Sequence, residues 1–527
     1  MSSCDHVIGK VSDFSPGELK TVEVAEAEVL VVRTVMGKFY AIGAKCPHAG
    51  APLEEGLLCD RRVICPWHKS VFDLETGAVL EPPALDDLPQ FRIKLQDDNL
   101  LLSIPDEGAK TERANKVGLE RPKSDEVFVI LGGGAAGLAA AEELRKIGFV
   151  GRLLLISSES RSPYDRTLLS KQYLSGEADA SWLPLRENSF FDEAHIERLH
   201  QKVKSVDTVA KQIVFFDGQP SLSYDALLLA TGSTPSQLAV PGGKEHAVTL
   251  RTPEDADAII ASARPGASAA VIGSSFIGME VASSLTQRKL QVTIISPEAV
   301  PFEKKLGKPI GEMLQRLHER NGVRFRLGSK VSRIEKQGDK REVILEDSGR
   351  VGAELIVVGI GVKPATDYLQ DVRRNHDGGV SVDEFLQVPG KSRLFAAGDL
   401  AAFPVPQIGE VARIEHWRLA QEHGRLAAQN MFNQRTPYSG VPYFWTSHFN
   451  TRFDYVGYAS SWDEIIVTGD VEKPDFIAFY VANGRAVAAI AAKREKQAAA
   501  FLELLRQGRT LPPAELRSLD LVARLES

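Results

Sequence analysis

Apolar and polar residues alternate in short runs through residues 1–104, as in TVEVAEAEVLVVRTV, KFYAI, RRVI and NLLLSI. Turns that contain Gly, Pro and Asp separate these runs. A period of two residues predicts strands with one buried face. We therefore predict a small all-β domain in this part of the chain.

The pattern changes after a polar stretch. Residues 105–125 contain few apolar residues and two prolines, which is typical of an interdomain linker. Beyond them, apolar runs of strand length alternate with segments of helical periodicity, first in VFVILGGGAAGLAAAEEL and later in SAAVIGSSFIGMEVASSL. Alternating strands and helices predict parallel sheets covered by helices, so these parts are predicted to be α/β domains.

The first of these segments contains a glycine fingerprint for a dinucleotide, Gly132-x-Gly134-x-x-Gly137, between the predicted strand and helix. The first glycine lets the chain turn, the second lets backbone N–H groups approach a pyrophosphate, and the third lets the helix pack on the strand. Glu159, near the end of the next predicted strand, is the candidate for binding the adenosine ribose. The alternative is an ordinary strand-to-helix turn that binds no nucleotide.

The second fingerprint departs from the rule, because it reads Gly273-x-Ser275-x-x-Gly278. A serine side chain at the middle position stands where the backbone must approach the pyrophosphate, so we expect weaker affinity or a shifted loop. Ser296 occupies the position that often discriminates between cofactors, with Glu298 two residues further on and no arginine beside it for a 2′-phosphate. This favours NADH over NADPH. A vestigial domain that binds no nucleotide is the alternative.

The N-terminal domain carries two paired sets of metal-binding residues, Cys46-x-His48 and Cys65-x-x-His68. Two thiolates and two imidazoles are the ligands of a Rieske [2Fe–2S] centre, in which the cysteines hold one iron and the histidines the other. The alternative is a structural zinc site, since Cys2His2 also suits tetrahedral zinc. Zinc fingers usually group Cys with Cys and His with His, however, and the flanks CPHAGAPLEEG and CPWHKSVFDLETG resemble Rieske domains.

The resemblance to Rieske domains includes a departure. Rieske proteins of respiratory chains carry two further cysteines that bridge the ligand loops, and Ala51 and Trp67 stand at those positions, as in Rieske ferredoxins. Ser70 matches a serine that donates to a cluster sulfur in high-potential relatives, whereas Phe72 replaces a tyrosine hydroxyl. Fewer donors stabilise the reduced cluster less, so we predict a potential in the lower half of the family's range of about −150 to +300 mV.

Three segments after the linker, PYDRTLLSK, LLLATGSTP and LFAAGDLA, resemble FAD-dependent pyridine-nucleotide oxidoreductases. The resemblance implies bound FAD and an NAD(P)H electron donor. It also implies that Lys171 and Glu280 meet beside the reactive edge of the flavin, where a lysine favours the anionic reduced form. The alternative is a solvated lysine and a glutamate on a helix surface. The resemblance further implies FAD contacts from Arg166, Ala230, Thr231, Gly232, Asp399 and Trp417, and nicotinamide-nucleotide contacts from Ile277, Gly359 and Gly361.

The segments GSSFIGMEVA, EHWRLAQEHGRLAAQNM and VPYFWTSHF are most similar to the Rieske-containing, apoptosis-inducing-factor-like subfamily. Trp417 and Trp445, within two of these segments, can equally be core residues. The implied domains are the Rieske domain at 1–104, the linker at 105–125, an FAD-binding domain at 126–248 and 371–435, an NAD(P)H-binding domain at 249–370, and a small α+β C-terminal domain at 436–527.

Composition limits the partners. Charged residues make up 25% of the chain and its net charge is −7 at pH 7, which argues against a nucleic-acid or anionic-membrane surface. No apolar run of the sequence approaches the roughly 18 residues of a membrane span. We therefore expect a cytoplasmic monomer or homodimer.

These features together predict an NAD(P)H oxidoreductase that passes electrons through FAD to the Rieske cluster of the same or a neighbouring subunit. The segment PYDRTLLSKQYL contains no cysteine, so the thiol relay of disulfide reductases is absent and the cluster is the nearest acceptor in the chain. The final acceptor stays open between a ferredoxin, an oxygenase, a haem protein and a quinone. The alternative function is a redox-responsive interaction protein, whose NADH-reduced flavin state changes conformation or dimerisation.

Overall fold

The computed structural model describes residues 3–105, 124–338, 340–509, 511–517 and 520–526. Residues 106–123 of the predicted linker lie outside these ranges. Within them, no helix is both long and apolar enough to span a membrane.

The N-terminal domain is all-β, as predicted. Its antiparallel sheets have the strand orders β1-β10-β9, β2-β3-β4 and β5-β6-β7-β8. The metal-ligand loops follow β4 of the second sheet and β6 of the third, so these two sheets together hold the loops side by side. These strands are β1 (Ser3–Lys10), β2 (Leu19–Val24), β3 (Ala27–Arg33), β4 (Phe39–Gly43), β5 (Leu57–Cys59), β6 (Arg62–Ile64), β7 (Val71–Asp73), β8 (Val79–Glu81), β9 (Arg92–Gln96) and β10 (Asn99–Pro105).

The first α/β unit has a parallel sheet in the order β13-β12-β11-β17, with Leu394–Ala396 at the far edge. Its central strands read as continuous apolar runs because helices cover both faces. The elements are β11 (Val127–Leu131), α1 (Ala135–Lys146), β12 (Arg152–Ser157), α2 (Gln172–Ser175), α3 (Asn188–Glu193), β13 (Ile196–His200), β14 (Val203–Asp207), β15 (Gln212–Phe215), β16 (Leu222–Ser223), β17 (Ala226–Leu229), β18 (Ser233–Pro235) and α4 (Gly243–His246).

The second α/β unit is inserted into the first and has a parallel sheet in the order β19-β26-β20-β21-β22. The antiparallel pair β18–β27 joins the two units. The elements are β19 (Val248–Thr249), α5 (Pro253–Ser262), β20 (Ser268–Ile272), α6 (Phe276–Gln287), β21 (Gln291–Ile295), α7 (Glu303–Leu306), α8 (Lys308–Arg320), β22 (Arg324–Arg326), β23 (Val331–Gln337), β24 (Lys340–Leu345), β25 (Arg350–Ala353), β26 (Leu355–Val358) and β27 (Val362–Pro364).

The chain then returns to the first unit and ends in an antiparallel sheet of order β32-β33-β36-β35-β34, covered by helices. The predicted fold class, an all-β domain followed by two α/β domains and a small α+β domain, is therefore confirmed. The remaining elements are β28 (Val380–Ser381), β29 (Leu394–Ala396), β30 (Ala401–Val405), β31 (Glu410–Arg413), α9 (Trp417–Met431), β32 (Tyr443–His448), β33 (Thr451–Gly457), β34 (Glu464–Asp470), β35 (Asp475–Ala482), β36 (Arg485–Ala492), α10 (Glu495–Arg506), α11 (Pro513–Leu516) and α12 (Leu521–Glu526).

The N-terminal domain packs against the reductase domains through its ligand-bearing sheet. Leu57, Ile64 and Val71 of that sheet share one apolar cluster with Phe501 and Leu504 of α10. This contact places the metal-ligand loops against β32 and β33, the first two strands of the C-terminal domain.

Buried ion pairs cross the same interface. Lys69 Nζ lies 2.8 Å from Asp454 Oδ2, and both side chains are almost fully buried. Arg418 of α9, itself fully buried, lies 2.5 Å from Glu81 Oε2. A buried charge is costly unless it is paired. The docked arrangement supplies the ionic partners of Lys69 and Glu81.

Candidate functional site

The four predicted metal ligands come together as two pairs. The loop after β4 carries Cys46 and His48, and the loop after β6 carries Cys65 and His68. The two cysteines lie within hydrogen-bond reach of one another, and His48 Nδ1 lies 3.0 Å from His68 Nδ1. Because the two Nδ1 atoms face one point and the two thiols face another, the arrangement offers two binding positions for metal.

This geometry fits a two-iron cluster better than zinc. In the described ranges, no three His, Cys, Asp or Glu side chains converge on one position suited to a single ion. Tetrahedral zinc needs four ligands around one point, whereas a Rieske centre needs a cysteine pair on one iron and a histidine pair on the other. The donor set therefore fits a [2Fe–2S] cluster.

The ionisation of the ligands agrees with that fit. Burial lowers the pKa of His48 and places the pKa of His68 well below its usual value, so both imidazoles are neutral near pH 7 and present a lone pair to iron. A hydrogen bond from the Cys46 thiol lowers the pKa of Cys65 to about 7. A hydrogen bond with Cys65, and secondly burial, raise the pKa of Cys46, against a smaller lowering effect of the Ser70 hydroxyl. Ser70 therefore lies beside a ligand sulfur, and its donation to a cluster sulfur stays a prediction.

A cavity of 1270 Å³ opens at the carboxyl ends of the parallel strands, between the two α/β units. The first glycine fingerprint forms one wall. A Cβ on Gly132 would lie 2.1 Å from the Ala230 carbonyl oxygen, and a Cβ on Gly137 would lie 1.8 Å from the Gly132 carbonyl oxygen. Next to Gly134, at the start of α1, there is open space within 4 Å. The backbone is therefore packed tightly behind the turn and open in front of it, which fits a bound pyrophosphate.

The acidic residue predicted for the ribose lies on the cavity wall. Glu159 accepts hydrogen bonds from Arg166 Nη2 at 2.5 Å and from the Tyr164 hydroxyl at 2.6 Å. Arg166 also donates to the Arg251 carbonyl oxygen at 2.9 Å. These contacts fix the carboxylate at the edge of the space in front of β11 and β12.

Beside the first fingerprint, the cavity is lined by the other residues predicted to contact FAD. These are Ala230, Thr231, Gly232, Asp399 and Trp417. Thr231 Oγ1 donates to the Ala365 carbonyl oxygen at 2.7 Å, which fixes this residue in the cavity wall.

Asp399 is bound by two side chains, Ser233 and Arg251, that the sequence did not predict as its partners. It accepts from Ser233 Oγ at 2.6 Å and from Arg251 Nη2 at 3.3 Å. Arg251 was missed in the sequence, although it directly precedes the Thr252 cap of α5. Its guanidinium balances a carboxylate at the cavity wall and leaves donors for a bound phosphate or carbonyl group.

The second fingerprint forms a turn of the same kind. A Cβ on Gly273 would lie 2.3 Å from the Gly359 carbonyl oxygen, and a Cβ on Gly278 would lie 2.2 Å from the Gly273 carbonyl oxygen. Ser275 Oγ donates to the Gly359 carbonyl oxygen at 2.6 Å and accepts from the Gly278 amide at 3.3 Å. The serine hydroxyl is thus used inside the turn, where it caps α6. Its backbone φ of −76° is unstrained.

The remaining predicted nicotinamide residues divide between the cavity and the protein interior. Ile277 and Gly361 line the cavity, whereas Gly359 packs against Gly278. Ser296 is fully buried, and its hydroxyl contacts Ser274 at 2.8 Å and donates to Glu298. The Ser296 side chain thus contacts protein groups and is not exposed to the cavity. The roles of these four residues, Ile277, Ser296, Gly359 and Gly361, in nucleotide binding stay predictions.

Lys171 and Glu280 meet inside the cavity, as the resemblance implied. Lys171 Nζ lies 2.9 Å from Glu280 Oε2, with side chains 13% and 4% exposed. The same carboxylate accepts from Ser170 Oγ at 2.5 Å and from Thr446 Oγ1 at 2.7 Å. The solvated-lysine alternative does not describe this pair, because both groups are held in the cavity wall.

Trp445 joins the cavity to the metal-ligand loops. It lines the cavity, and its ring centroid lies 4.4 Å from that of His68 and 6.2 Å from that of His48. The sequence left this tryptophan open between core and site, since nothing local indicates that the Rieske loops pack against it. Trp417, the other tryptophan, begins α9 and lines the same cavity.

The fold and the site together define a two-nucleotide flavoprotein oxidoreductase joined to a Rieske domain. Family models agree with this assignment: residues 127–424 match the pyridine nucleotide-disulphide oxidoreductase model, residues 4–92 match the Rieske [2Fe-2S] domain, and residues 443–524 match the reductase C-terminal domain.

Individual relatives point the same way. The chain is 37% identical to human apoptosis-inducing factor 3 over 520 residues. The aligned residues cover 96% of this chain and 84% of the relative. It is 35% identical over 349 residues, 66% of this chain and 85% of the relative, to the ferredoxin–NAD(+) reductase component of the biphenyl dioxygenase system of Paraburkholderia xenovorans. The structure of a covalent putidaredoxin reductase–putidaredoxin complex superposes with a TM-score of 0.72 at 28% identity, covering 77% of this chain and 100% of that chain.

The chain belongs to the pyridine nucleotide-disulphide oxidoreductase family, in the group of apoptosis-inducing factor 3 homologues that carry a Rieske domain. It is an FAD-dependent oxidoreductase of the ferredoxin reductase type, with a Rieske-type [2Fe–2S] domain.

Proposed function

We propose that this enzyme oxidises NADH and passes the electrons, by way of FAD, to the Rieske cluster of its own chain. The observation that carries the proposal is the position of Trp445. Its ring touches the histidine ligands on one side and lines the Lys171–Glu280 cavity on the other. In this proposal, Trp445 is the side chain that lies between the flavin cavity and the cluster ligands.

The protein residues bind and orient the cofactors. The glycine turns before α1 and α6 would hold the two pyrophosphates, and FAD would supply the exchange between a hydride and single electrons. Lys171, held by Glu280, places a positive charge where negative charge develops on hydride arrival. Trp417 closes another part of the cavity wall and excludes water.

NADH is the favoured donor because Glu298 follows the strand that ends beside the second fingerprint. A carboxylate at this place accepts from a ribose 2′-hydroxyl and repels a 2′-phosphate. We expect kcat/KM for NADH to exceed that for NADPH by about tenfold or more, which corresponds to about 1.4 kcal/mol. Equal values would reject the preference.

The acceptor beyond the cluster is proposed to be a one-electron redox protein. Two of the relatives are named as a ferredoxin reductase component and as a reductase joined to its redox partner. In this enzyme the outer side of the ligand loops stays exposed at Pro47, Ala49, Gly50 and Trp67, so we place the exit for electrons there.

The test is anaerobic mixing of the holoenzyme with stoichiometric NADH, followed by flavin absorbance and freeze-quenched EPR. We expect the reduced Rieske signal to appear without any added protein, directly after the flavin changes. Flavin reduction with a silent cluster would contradict the proposal.

A further inference from the structure

A chain of buried hydrogen bonds leads away from the Lys171–Glu280 pair into the protein interior. Thr446 Oγ1 lies 2.7 Å from Glu280 Oε1 and 3.1 Å from His448 Nε2. His448 Nδ1 in turn lies 3.3 Å from His318 Nε2. Thr446, His448 and His318 are all at most 1% exposed. Packing alone does not require three polar groups in a row, and the electron path does not use them.

The donors in this chain have a fixed direction. Thr446 has one hydroxyl proton and donates it to Glu280 Oε1, so His448 Nε2 must carry the proton that it shares with Thr446. Burial, and secondly the charge of Lys171, lower the pKa of His448 to about 3, against the raising effect of the Met279 backbone. His448 is therefore neutral, its Nδ1 is an acceptor, and His318 Nε2 is the donor to it.

The chain ends at an atom that can receive a proton. With Nε2 protonated, neutral His318 presents a bare Nδ1, which is buried and has no hydrogen-bond partner among the described residues. Burial, and secondly His448, keep the pKa of His318 well below its usual value. The rings of Phe325 and Phe449 cover His318 and are themselves partly exposed. His318 also lies in the last turn of α8, where the helix dipole favours a transient positive charge.

We propose that Thr446, His448 and His318 form a proton relay that protonates Glu280 when the flavin is reduced. Hydride transfer from NADH exchanges no proton with solvent but leaves one more negative charge beside Lys171. In the proposed step, His318 Nδ1 takes a proton from water, each N–H or O–H along the chain shifts by one bond, and Glu280 Oε1 gains a proton. The reverse shift returns the proton to water when the electrons leave.

The consequence for Lys171 is a change of partner. Once Glu280 is neutral, the ammonium loses its counter-ion and compensates the negative charge of the reduced centre instead. Direct protonation from the cavity is hindered, because Glu280 is only 3% exposed even before nucleotides enter. The inference rests on the proposed function, since it requires a flavin beside Lys171.

The experiment measures proton uptake and flavin reduction in one stopped-flow record. The cluster of the holoenzyme is reduced beforehand with one electron equivalent, so that hydride transfer ends at the flavin. NADH is then added anaerobically in weakly buffered solution with a pH indicator. We expect uptake of about one proton per flavin, in step with the loss of flavin absorbance. A flavin that NADH does not reduce would reject the proposed function, whereas reduction without proton uptake would reject the relay alone.

Variants separate the relay from a general effect on Glu280. Thr446→Val removes the hydroxyl that connects Glu280 to His448, and we expect proton uptake to lag flavin reduction by about tenfold or more. The matched control is Ser170→Ala, which removes a hydroxyl donor from the other oxygen of the same carboxylate and should leave uptake in step. His318→Gln should reproduce the lag if the valine variant does not fold. The proposal would be overturned if proton uptake stayed in step with flavin reduction in Thr446→Val and His318→Gln. It would also be overturned if uptake lagged equally in the Ser170→Ala control.

Discussion

Docking of the Rieske domain depends on Arg418, and its replacement by methionine is the most informative perturbation of the interface. Arg418 Nε donates to the Pro82 carbonyl oxygen at 2.8 Å, and Nη2 donates to Glu81 at 2.5 Å and to the Lys69 carbonyl oxygen at 3.3 Å. Its Nη1 also lies 2.6 Å from Glu422 of the same helix. Methionine retains much of the buried volume but none of these contacts.

The magnitude follows from the burial of the partners. Removing one member of a buried ion pair costs about 3–5 kcal/mol, because the other charge stays buried without its partner. Glu81 keeps Arg506 Nη2 at 2.8 Å, so we take the lower half of that range, about 3–4 kcal/mol. At 1.4 kcal/mol per factor of ten, the ratio of docked to undocked Rieske domain falls by about two to three powers of ten.

The assay is cluster reduction after anaerobic mixing with NADH, together with thermal unfolding and FAD content. We expect Arg418→Met to lower the unfolding temperature and to slow cluster reduction, with flavin reduction unchanged. The matched control is Arg425→Met on the same helix, which removes one 3.3 Å hydrogen bond to the Ala84 carbonyl oxygen and should cost only about 1 kcal/mol. An Arg418→Met enzyme with full FAD content and wild-type cluster reduction would refute the reasoning.

The remaining predictions concern the electron path and its output. Trp445→Ala should slow cluster reduction by about tenfold or more, a barrier increase of at least about 1.4 kcal/mol, while flavin reduction by NADH is unaffected. The control is Trp462→Ala, whose ring packs against Tyr480 of the C-terminal domain, and equal cluster reduction in the two variants would show that Trp445 is not on the electron path. The cluster potential should fall in the lower half of about −150 to +300 mV, because Phe72 supplies no hydroxyl and fewer donors stabilise the reduced cluster less. A redox titration that gives a value near the top of that range would contradict this. Size-exclusion chromatography with and without NADH should give the same elution volume, since the interaction-protein alternative requires a shift.

Features set by short spacing in the chain were accessible from the sequence. The Cys46-x-His48 and Cys65-x-x-His68 spacings place ligands on two short loops, and the glycine fingerprints follow directly on apolar strands. These patterns depend on neighbouring residues alone, so they predicted the all-β and α/β domains, the dinucleotide turns and the cluster ligands, whereas FAD was implied by the resemblance. Lys171 and Glu280 were paired by resemblance rather than by spacing.

Features set by packing between distant segments were not accessible. From the sequence, Trp445 could equally be a core residue or a site residue. Its partner His68 belongs to another domain, so no neighbouring residue indicates the contact. Ser275 was expected to hinder a pyrophosphate, but its side chain turns onto Gly359, a residue at the end of a different strand. The relay through Thr446, His448 and His318 likewise joins β32 to α8. In each case the outcome depends on a contact that no local pattern of residues encodes.

The central claim is that electrons reach the cluster within one chain. The most direct test is the observed rate constant for cluster reduction, measured after anaerobic mixing with NADH at increasing concentrations of the holoenzyme. The docked Rieske domain and the position of Trp445 predict a first-order constant that is independent of enzyme concentration. A constant that rises in proportion to concentration would show transfer between separate molecules and would contradict the account.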